Sequence, residues 1–191
     1  MEIGLYRWNP HVVPNTTKGH TEGRLPMDAT IAAYIAGFLD GDGSIHIQLI
    51  QQQEYKYGFY VRMSISFHQH ETGIEGLRWL KDKLKVGYLR KRTGDMCDYV
   101  ITSRPAIRNI LNEIAPYIVF KRRQVVEALK ILNQIEKISG LESFLLVARQ
   151  LDAFATLNRS RRRTNTSKTV LKVWNDMGRH TPVTTDPVKV R

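Results

Sequence analysis

Ile31-Ala32-Ala33-Tyr34-Ile35-Ala36-Gly37-Phe38-Leu39-Asp40-Gly41-Asp42-Gly43-Ser44 decides how the rest of the chain is organised. Apolar and small residues run without a break into two carboxylates interleaved with glycines. Asp28 stands where its side chain can accept from the first free N–H groups of a helix. Gly43 stands where a left-handed residue would end one. A helix is therefore predicted from about Ala29 to about Gly41. On it Ala33, Gly37 and Gly41 share one side, and such a stripe of small residues lets a second helix backbone come close. The apolar run is too short for a bilayer span, which takes roughly 20 residues.

The two acids sit at the unfavourable end of that helix. A helix C-terminus is partly negative, so each carboxylate there costs about 0.3–1 kcal/mol, less if exposed. A cation would reverse the sign, and carboxylate with free backbone carbonyls is a hard-oxygen set of the kind Mg²⁺ or Ca²⁺ prefers. A tight Asp-Gly turn leading into a strand uses the same residues. Taken alone, Asp40-Gly41-Asp42-Gly43 leaves both readings open.

Downstream of the helix the pattern changes to period two. Ile45, Ile47 and Leu49 alternate with His46, Gln48 and Ile50, and Gln52 continues the second set. Phe59, Val61, Met63, Ile65 and Phe67 then alternate with Tyr60, Arg62, Ser64, Ser66 and His68. These are two strands with one apolar face each. Thr72 to Leu84 reads as an amphipathic helix turning Ile74, Leu77, Leu80 and Leu84 inward. A second hairpin is predicted from Val86–Arg92 and Met96–Thr102 around Thr93-Gly94-Asp95. Arg90 and Arg92 face outward on one strand, and Asp98, Val100 and Thr102 on the other. Ser103 and Pro105 open a further helix to about Ala115. Long helices follow over 121–138 and 141–157, and a short one over 167–177.

The 191 residues carry a net charge of +11 and 42% hydrophobic residues. That suits one core of about 150 residues with extensions. The charge points to a polyanion partner or simply to a basic soluble protein. One cysteine, Cys97, excludes an internal disulfide and a Cys-rich zinc site. No apolar span marks a membrane protein. The outward residues of the four strands offer donors and acceptors of the kind that match base edges in the major groove, although a wet face is ordinary for an antiparallel sheet. Arg159, Arg161 and Arg162 belong to a basic cluster assigned to phosphates, against the alternative of a solvated tail.

Tyr34-Ile35-Ala36-Gly37-Phe38-Leu39-Asp40-Gly41-Asp42-Gly43 resembles the motif that names the LAGLIDADG homing endonucleases. The resemblance covers about residues 28–158, between an irregular extension over 1–27 and a basic segment over 159–191. It implies an α+β fold: an αββαββα core whose four-stranded antiparallel, saddle-shaped sheet faces DNA and is backed by helices, with extra C-terminal helices. It implies a site-specific double-strand DNA endonuclease, of the intron-encoded kind, cutting a long near-palindromic site by Mg²⁺-dependent hydrolysis. Ca²⁺ is expected to support binding without cleavage. One chain holds one motif, so two chains pair through Ala33, Gly37 and Gly41 into a homodimer.

By the same resemblance, Asp42 binds the metal, with the Gly41 carbonyl as a further ligand. Gln69 is similar to the family's active-site glutamine, and Lys121, after Pro116-Tyr117, to its catalytic lysine. The base-reading residues are His46, Gln48, Ile50, Gln52, Tyr60, Arg62, Ser64, Ser66, His68, Arg90, Arg92, Asp98 and Val100. Asp40 is structural. Some relatives carry a basic residue four places after the glutamine; here that place is Gly73, and either His70 substitutes or the pocket works without that cation. An organellar compartment is implied as well. An intron RNA maturase and a non-catalytic DNA-binding regulator can use the same scaffold; a silent binder would have no need to keep Asp42, Gln69 and Lys121 together, whereas maturase activity uses other surfaces and stays open.

Overall fold

The computed structural model describes residues 27–158 and 163–178. Helix α1 runs over Ala29–Asp42, strand β1 over Gly43–Gln51 and β2 over Phe59–His70. A 3-10 turn at Glu71–Gly73 leads into α2, Ile74–Leu84, then β3, Tyr88–Lys91, and β4, Met96–Ile101. Helix α3, Arg104–Ile114, and a second 3-10 turn at Ala115–Tyr117 precede α4, Arg122–Ile135, α5, Leu141–Leu157, and α6, Ser167–Asp176. The sheet is antiparallel in the order β1-β2-β4-β3. This is the expected αββαββα core with further C-terminal helices.

Helix α1 is capped as its sequence predicts. The Asp28 carboxylate accepts from the amides of Thr30 at 2.8 Å and Ile31 at 3.2 Å. Its other end differs from expectation. The helix continues through Asp42, and Gly43 is extended, φ −107° and ψ 165°, not left-handed. Glycine is needed there for space: a Cβ would lie 2.6 Å from the Cα and Cδ1 of Leu39. The chain thus passes from helix straight into strand with no loop between them.

The period-two pattern becomes the core. Ile45, Ile47 and Leu49 of β1 and Phe59, Val61, Met63, Ile65 and Phe67 of β2 are all buried. They meet Ile35 and Leu39 of α1, Leu77, Leu80 and Leu84 of α2, and Ile107, Ile110 and Ile114 of α3. Each such side chain removed from water contributes about 1.5–3 kcal/mol. The helices that supply these residues pack on this face, while His46, Gln48, Arg62 and Arg90 on the other are exposed. Ser103 precedes α3 without a side-chain cap bond, while Pro105 does sit in its first turn. Cys97 is free and buried, a packing residue.

Helix α6 belongs to the same core. Val170 is fully buried, and Trp174 lies 5.7 Å, centroid to centroid, from Tyr57. The segment before α6 closes the free edge of β1. Asn158 Nδ2 donates to the Ile45 carbonyl at 2.7 Å and Asn165 Nδ2 to that of Leu49 at 3.0 Å. Arg163 Nη2 donates to the carbonyl of Ile47 between them. Three side chains thus occupy alternate acceptors of an edge strand that would otherwise invite pairing with another chain. Among the described residues no helix is long and apolar enough to cross a membrane.

Candidate functional site

The C-terminal end of α1 separates its two acids by role. Asp40 turns toward the start of α4. Its Oδ2 accepts from the amides of Val119 at 2.6 Å and Phe120 at 3.1 Å, and its Oδ1 from that of Lys121 at 2.8 Å. The misplaced negative charge at one helix end is thereby matched to the positive N-terminus of another. The Lys121 ammonium donates to the backbone carbonyl of the same Asp40, so that lysine is held at the end of α1.

Asp42 is exposed. Gln69, near the end of β2, donates from Nε2 to Asp42 Oδ2 at 3.2 Å. Beside this pair is a cleft of about 420 Å³ lined by Ala33, Tyr34, Gly37, Phe38, Gly73 and Gly76. Gly73 leaves room for the glutamine, since a Cβ there would stand only 3.1 Å from Gln69 Oε1. His70 is engaged locally, its Nδ1 accepting from the Thr72 amide at 3.3 Å. Ala33, Gly37 and Gly41 are all exposed along α1.

Among the described residues no three His, Cys, Asp or Glu side chains converge on a point that could hold a metal. The end of α1 fits a hard divalent cation in kind. It offers an exposed carboxylate and main-chain carbonyls, with no basic residue in the helix's last turn. One chain supplies a single free carboxylate there, that of Asp42, because the Asp40 carboxylate is taken up by backbone amides.

The outward face of the sheet holds a second cleft of about 550 Å³, lined by His46, Arg62, Ser64, Ser66, His68, Tyr88, Arg90 and Arg92, with Thr93 and Val100. His46, Gln48, Gln52, Arg62, Arg90 and Arg92 are exposed, and Ile50, Tyr60, Ser64 and His68 are half-buried. Three of the residues expected to read bases are instead buried: Ser66 at 5%, Val100 at 6% and Asp98 at 0% exposure. Their strands, β2 and β4, are the two central ones in the order β1-β2-β4-β3, so each of these residues has a cross-strand neighbour on both sides. Register sets His68 and Arg90 on the two sides of Asp98, and Ser66 and Tyr88 on the two sides of Val100.

Asp98 is therefore an anchor. Its Oδ1 accepts from His68 Nδ1 at 2.8 Å and its Oδ2 from Arg90 Nη2 at 2.5 Å, with Arg92 Nη1 at 3.7 Å. Burial pushes the carboxyl pKa up, but the hydrogen bonds from Arg90 and His68 and the charges of His68 and Arg92 outweigh it, and the net shift is downward. His68 Nε2 in turn lies 3.2 Å from Ser66 Oγ and 3.3 Å from Ser44 Oγ. The His46 side chain reaches the surface, yet the partial burial of its ring, followed by the charge of His68, lowers its pKa against the opposing pull of Asp98.

Sequence patterning missed Tyr88 and Ser44 as parts of this surface, although both fall on its period-two register. It also missed the Asn158, Arg163 and Asn165 clamp, which acts through backbone acceptors and leaves no pattern. Arg159, Arg161 and Arg162 lie outside the described residues.

A helix ending in an exposed acid, beside an antiparallel sheet of this topology with arginines on its outward face, defines a LAGLIDADG-type core. The model of the LAGLIDADG endonuclease family matches residues 35–125. DNA endonuclease I-CreI of Chlamydomonas reinhardtii is 34% identical over 145 residues, covering 75% of this chain and 88% of that protein. DNA endonuclease I-CvuI of Chlorella vulgaris is 25% identical over 146 residues, covering 76% and 91%. A crystal structure of homing endonuclease I-CvuI in complex with the I-CreI target, in the presence of 2 mM Mg, superposes with a TM-score of 0.74 at 25% identity, over 80% of this chain and 97% of that one. The chain belongs to the LAGLIDADG endonuclease family.

Proposed function

We propose that two copies of this chain pair through α1 and cut both strands of a long, near-palindromic DNA site by metal-dependent phosphodiester hydrolysis. One observation carries this above the others: Asp42, exposed at the end of α1 with its carboxylate bonded to Gln69, lies on the helix whose small-residue side is open to solvent. A single duplex has two scissile bonds, and one chain has one such acid. The Asp42 carboxylate and the Gly41 carbonyl would hold Mg²⁺, completed by the second copy's Asp42. A divalent cation bound there polarises the phosphate and lowers the pKa of its water.

The chain's own groups do the rest. Gln69 fixes the orientation of the Asp42 carboxylate through Nε2 and keeps Oε1 for a solvent proton. Lys121, tethered to the Asp40 carbonyl, supplies positive charge toward the phosphate as negative charge develops on its oxygens. Asp40 keeps that lysine and the start of α4 in register with α1. The exposed side chains of β1 and β2 read base edges in the major groove, and the net charge of +11 supplies the sequence-independent attraction to phosphates.

The test is selection of cleaved sequences from a random or host-DNA library, with Mg²⁺ and then with Ca²⁺. Wild type with Mg²⁺ is expected to leave double-strand breaks at one long, nearly symmetric site, and with Ca²⁺ to bind it uncut. Asp42→Asn is expected to bind that site without cutting. Cutting by Asp42→Asn at the wild-type rate would overturn the assignment. Binding should fall steeply with salt, with a log–log slope near −9 if about 10 phosphates are contacted.

A further inference from the structure

Phe120 is the most exposed large apolar side chain among the described residues, at 82%, with Val119 beside it at 71%. It is not a loose end. The amides of Val119, Phe120 and Lys121 all donate to the Asp40 carboxylate, and Ile118 just before them is fully buried. The backbone is pinned at one flank of α1 while the ring is turned to water. On the other flank of α1 lies the 420 Å³ cleft beside Asp42 and Gln69. Gly37, Gly73 and Gly76 leave it open, and Tyr34 and Phe38 form its aromatic wall. A Cβ at Gly37 or Gly76 would meet nothing within 4 Å. Tyr34 is itself 56% exposed and stacks edge-on against Trp79 at 5.2 Å.

We propose that Phe120 of one copy fills the glycine-lined cleft of the other, twice per dimer, so that each copy closes the apolar wall of its partner's Asp42–Gln69 pocket. This rests on the pairing through α1 proposed above, and symmetry carries it. At about 100° per residue, Ala33, Gly37 and Gly41 fall at roughly 0°, 40° and 80° around the helix. Asp40, which holds Phe120, falls at roughly 340°, and Tyr34 and Phe38 at roughly 100° and 140°. A twofold that presents both Asp42 carboxylates to one duplex runs along the two helices and leaves them parallel. When two parallel helices face each other stripe to stripe, the low-angle flank of one lies against the high-angle flank of the other. The projecting ring of each copy is thus set against the cleft of its partner. A second copy is the occupant this arrangement selects, because the cleft opens onto the very stripe that pairs. The filled cleft excludes water from the apolar side of the pocket and leaves Asp42 open only toward DNA.

The test is sedimentation equilibrium of the full chain without DNA, in a double-mutant cycle of Phe120→Ala and Gly76→Leu, with Gly37→Leu as the reference for the stripe. Gly76 is an exposed helical position with free space around it, so leucine there favours the monomer's helix; circular dichroism checks that each variant keeps the fold. Phe120→Ala and Gly76→Leu are each expected to weaken dimerisation by roughly tenfold or more. Their combination is expected to lose clearly less than the product of the two, because a filled cleft no longer needs the ring. Unchanged dimerisation in Phe120→Ala and Gly76→Leu, with Gly37→Leu monomeric, would overturn this contact and leave the pairing through α1 standing. Losses that multiply would also overturn it. A wild type that stays monomeric at every concentration would overturn the pairing itself.

Discussion

The two halves of the exposed sheet face are built on opposite terms. On β1 and β2, Gln48 stands opposite Arg62 and His46 opposite Ser64, and the Arg62 side chain forms no ion pair among the described residues. Centred on β4, one buried carboxylate collects His68 from the end of β2, Arg90 from β3 and Arg92 just after it. The first half offers independent side chains, each free to take the rotamer a base edge requires. The second offers side chains aimed by a common anchor. A face that must hold two arginines ready pays ordering entropy once, in folding, by wiring them to Asp98; a face of short polar residues has less to order. A substitution at Gln48 or Arg62, outside that network, should thus act locally and on binding, whereas one at Asp98 should act broadly and on stability as well.

The largest effect that would break this contrast lies at Asp98. Asp98→Ala is expected to lower unfolding stability by about 1.5–3 kcal/mol, the range for a hydrogen bond to a charged group, carried chiefly by the half-buried His68. Arg90 and Arg92 are open to water, and their pairs add little. Urea unfolding measures the stability, and a base-preference profile of the bound site should blur wherever Arg90 and Arg92 make contact. A variant as stable as wild type, with its preferences intact, would make the network an ornament of the free chain.

Arg62→Ala is the matching probe of the open half. Its stability is expected to stay within about 0.5 kcal/mol of wild type, while discrimination at the base it touches falls by about 1–3 kcal/mol. Binding that weakens alike on every sequence would make Arg62 a phosphate contact and erase the difference between the halves.

How far the sequence disclosed these features follows from how local each one is. Helix α1, its Asp28 cap and the alternation of β1 and β2 depend on neighbours a few residues away, so propensity and period reveal them. Asp42 and Gln69 were legible through the motif and its spacing, and they do meet. Asp98 looked like one more outward residue, because its burial is decided by strand order: only the sequence β2-β4-β3 sets His68 and Arg90 on its two sides. The three amides that satisfy Asp40 lie 79 to 81 residues away, beyond the reach of any pattern. Gly43 was read correctly as the end of the helix but for the wrong cause, since the Leu39 atoms that demand a missing Cβ are visible only once the turn into β1 is built.

The smallest effect tests the anchor through pH. Asp98 titrates below its ordinary 3.8 in the fold. Its contribution to stability is therefore fully present above pH 3.8 and is lost as pH falls through its lower folded pKa. His46 titrates below 6.5 in the fold, so the unfolded chain takes up its proton first and stability drifts down as pH falls below 6.5. The ring reaches solvent, which keeps that drift shallow. Urea midpoints measured from pH 8 to pH 3 should thus show a gentle decline below 6.5 and a steeper one in acid. His46→Gln should flatten the first and leave the second, whereas Asp98→Asn should flatten the second and, by removing the charge that holds the His46 pKa up, deepen the first. Were Asp98→Asn to keep the acid limb unchanged, the carboxylate would not be what ties His68 to the β4–β3 half, and the two halves of the sheet would be alike in construction after all.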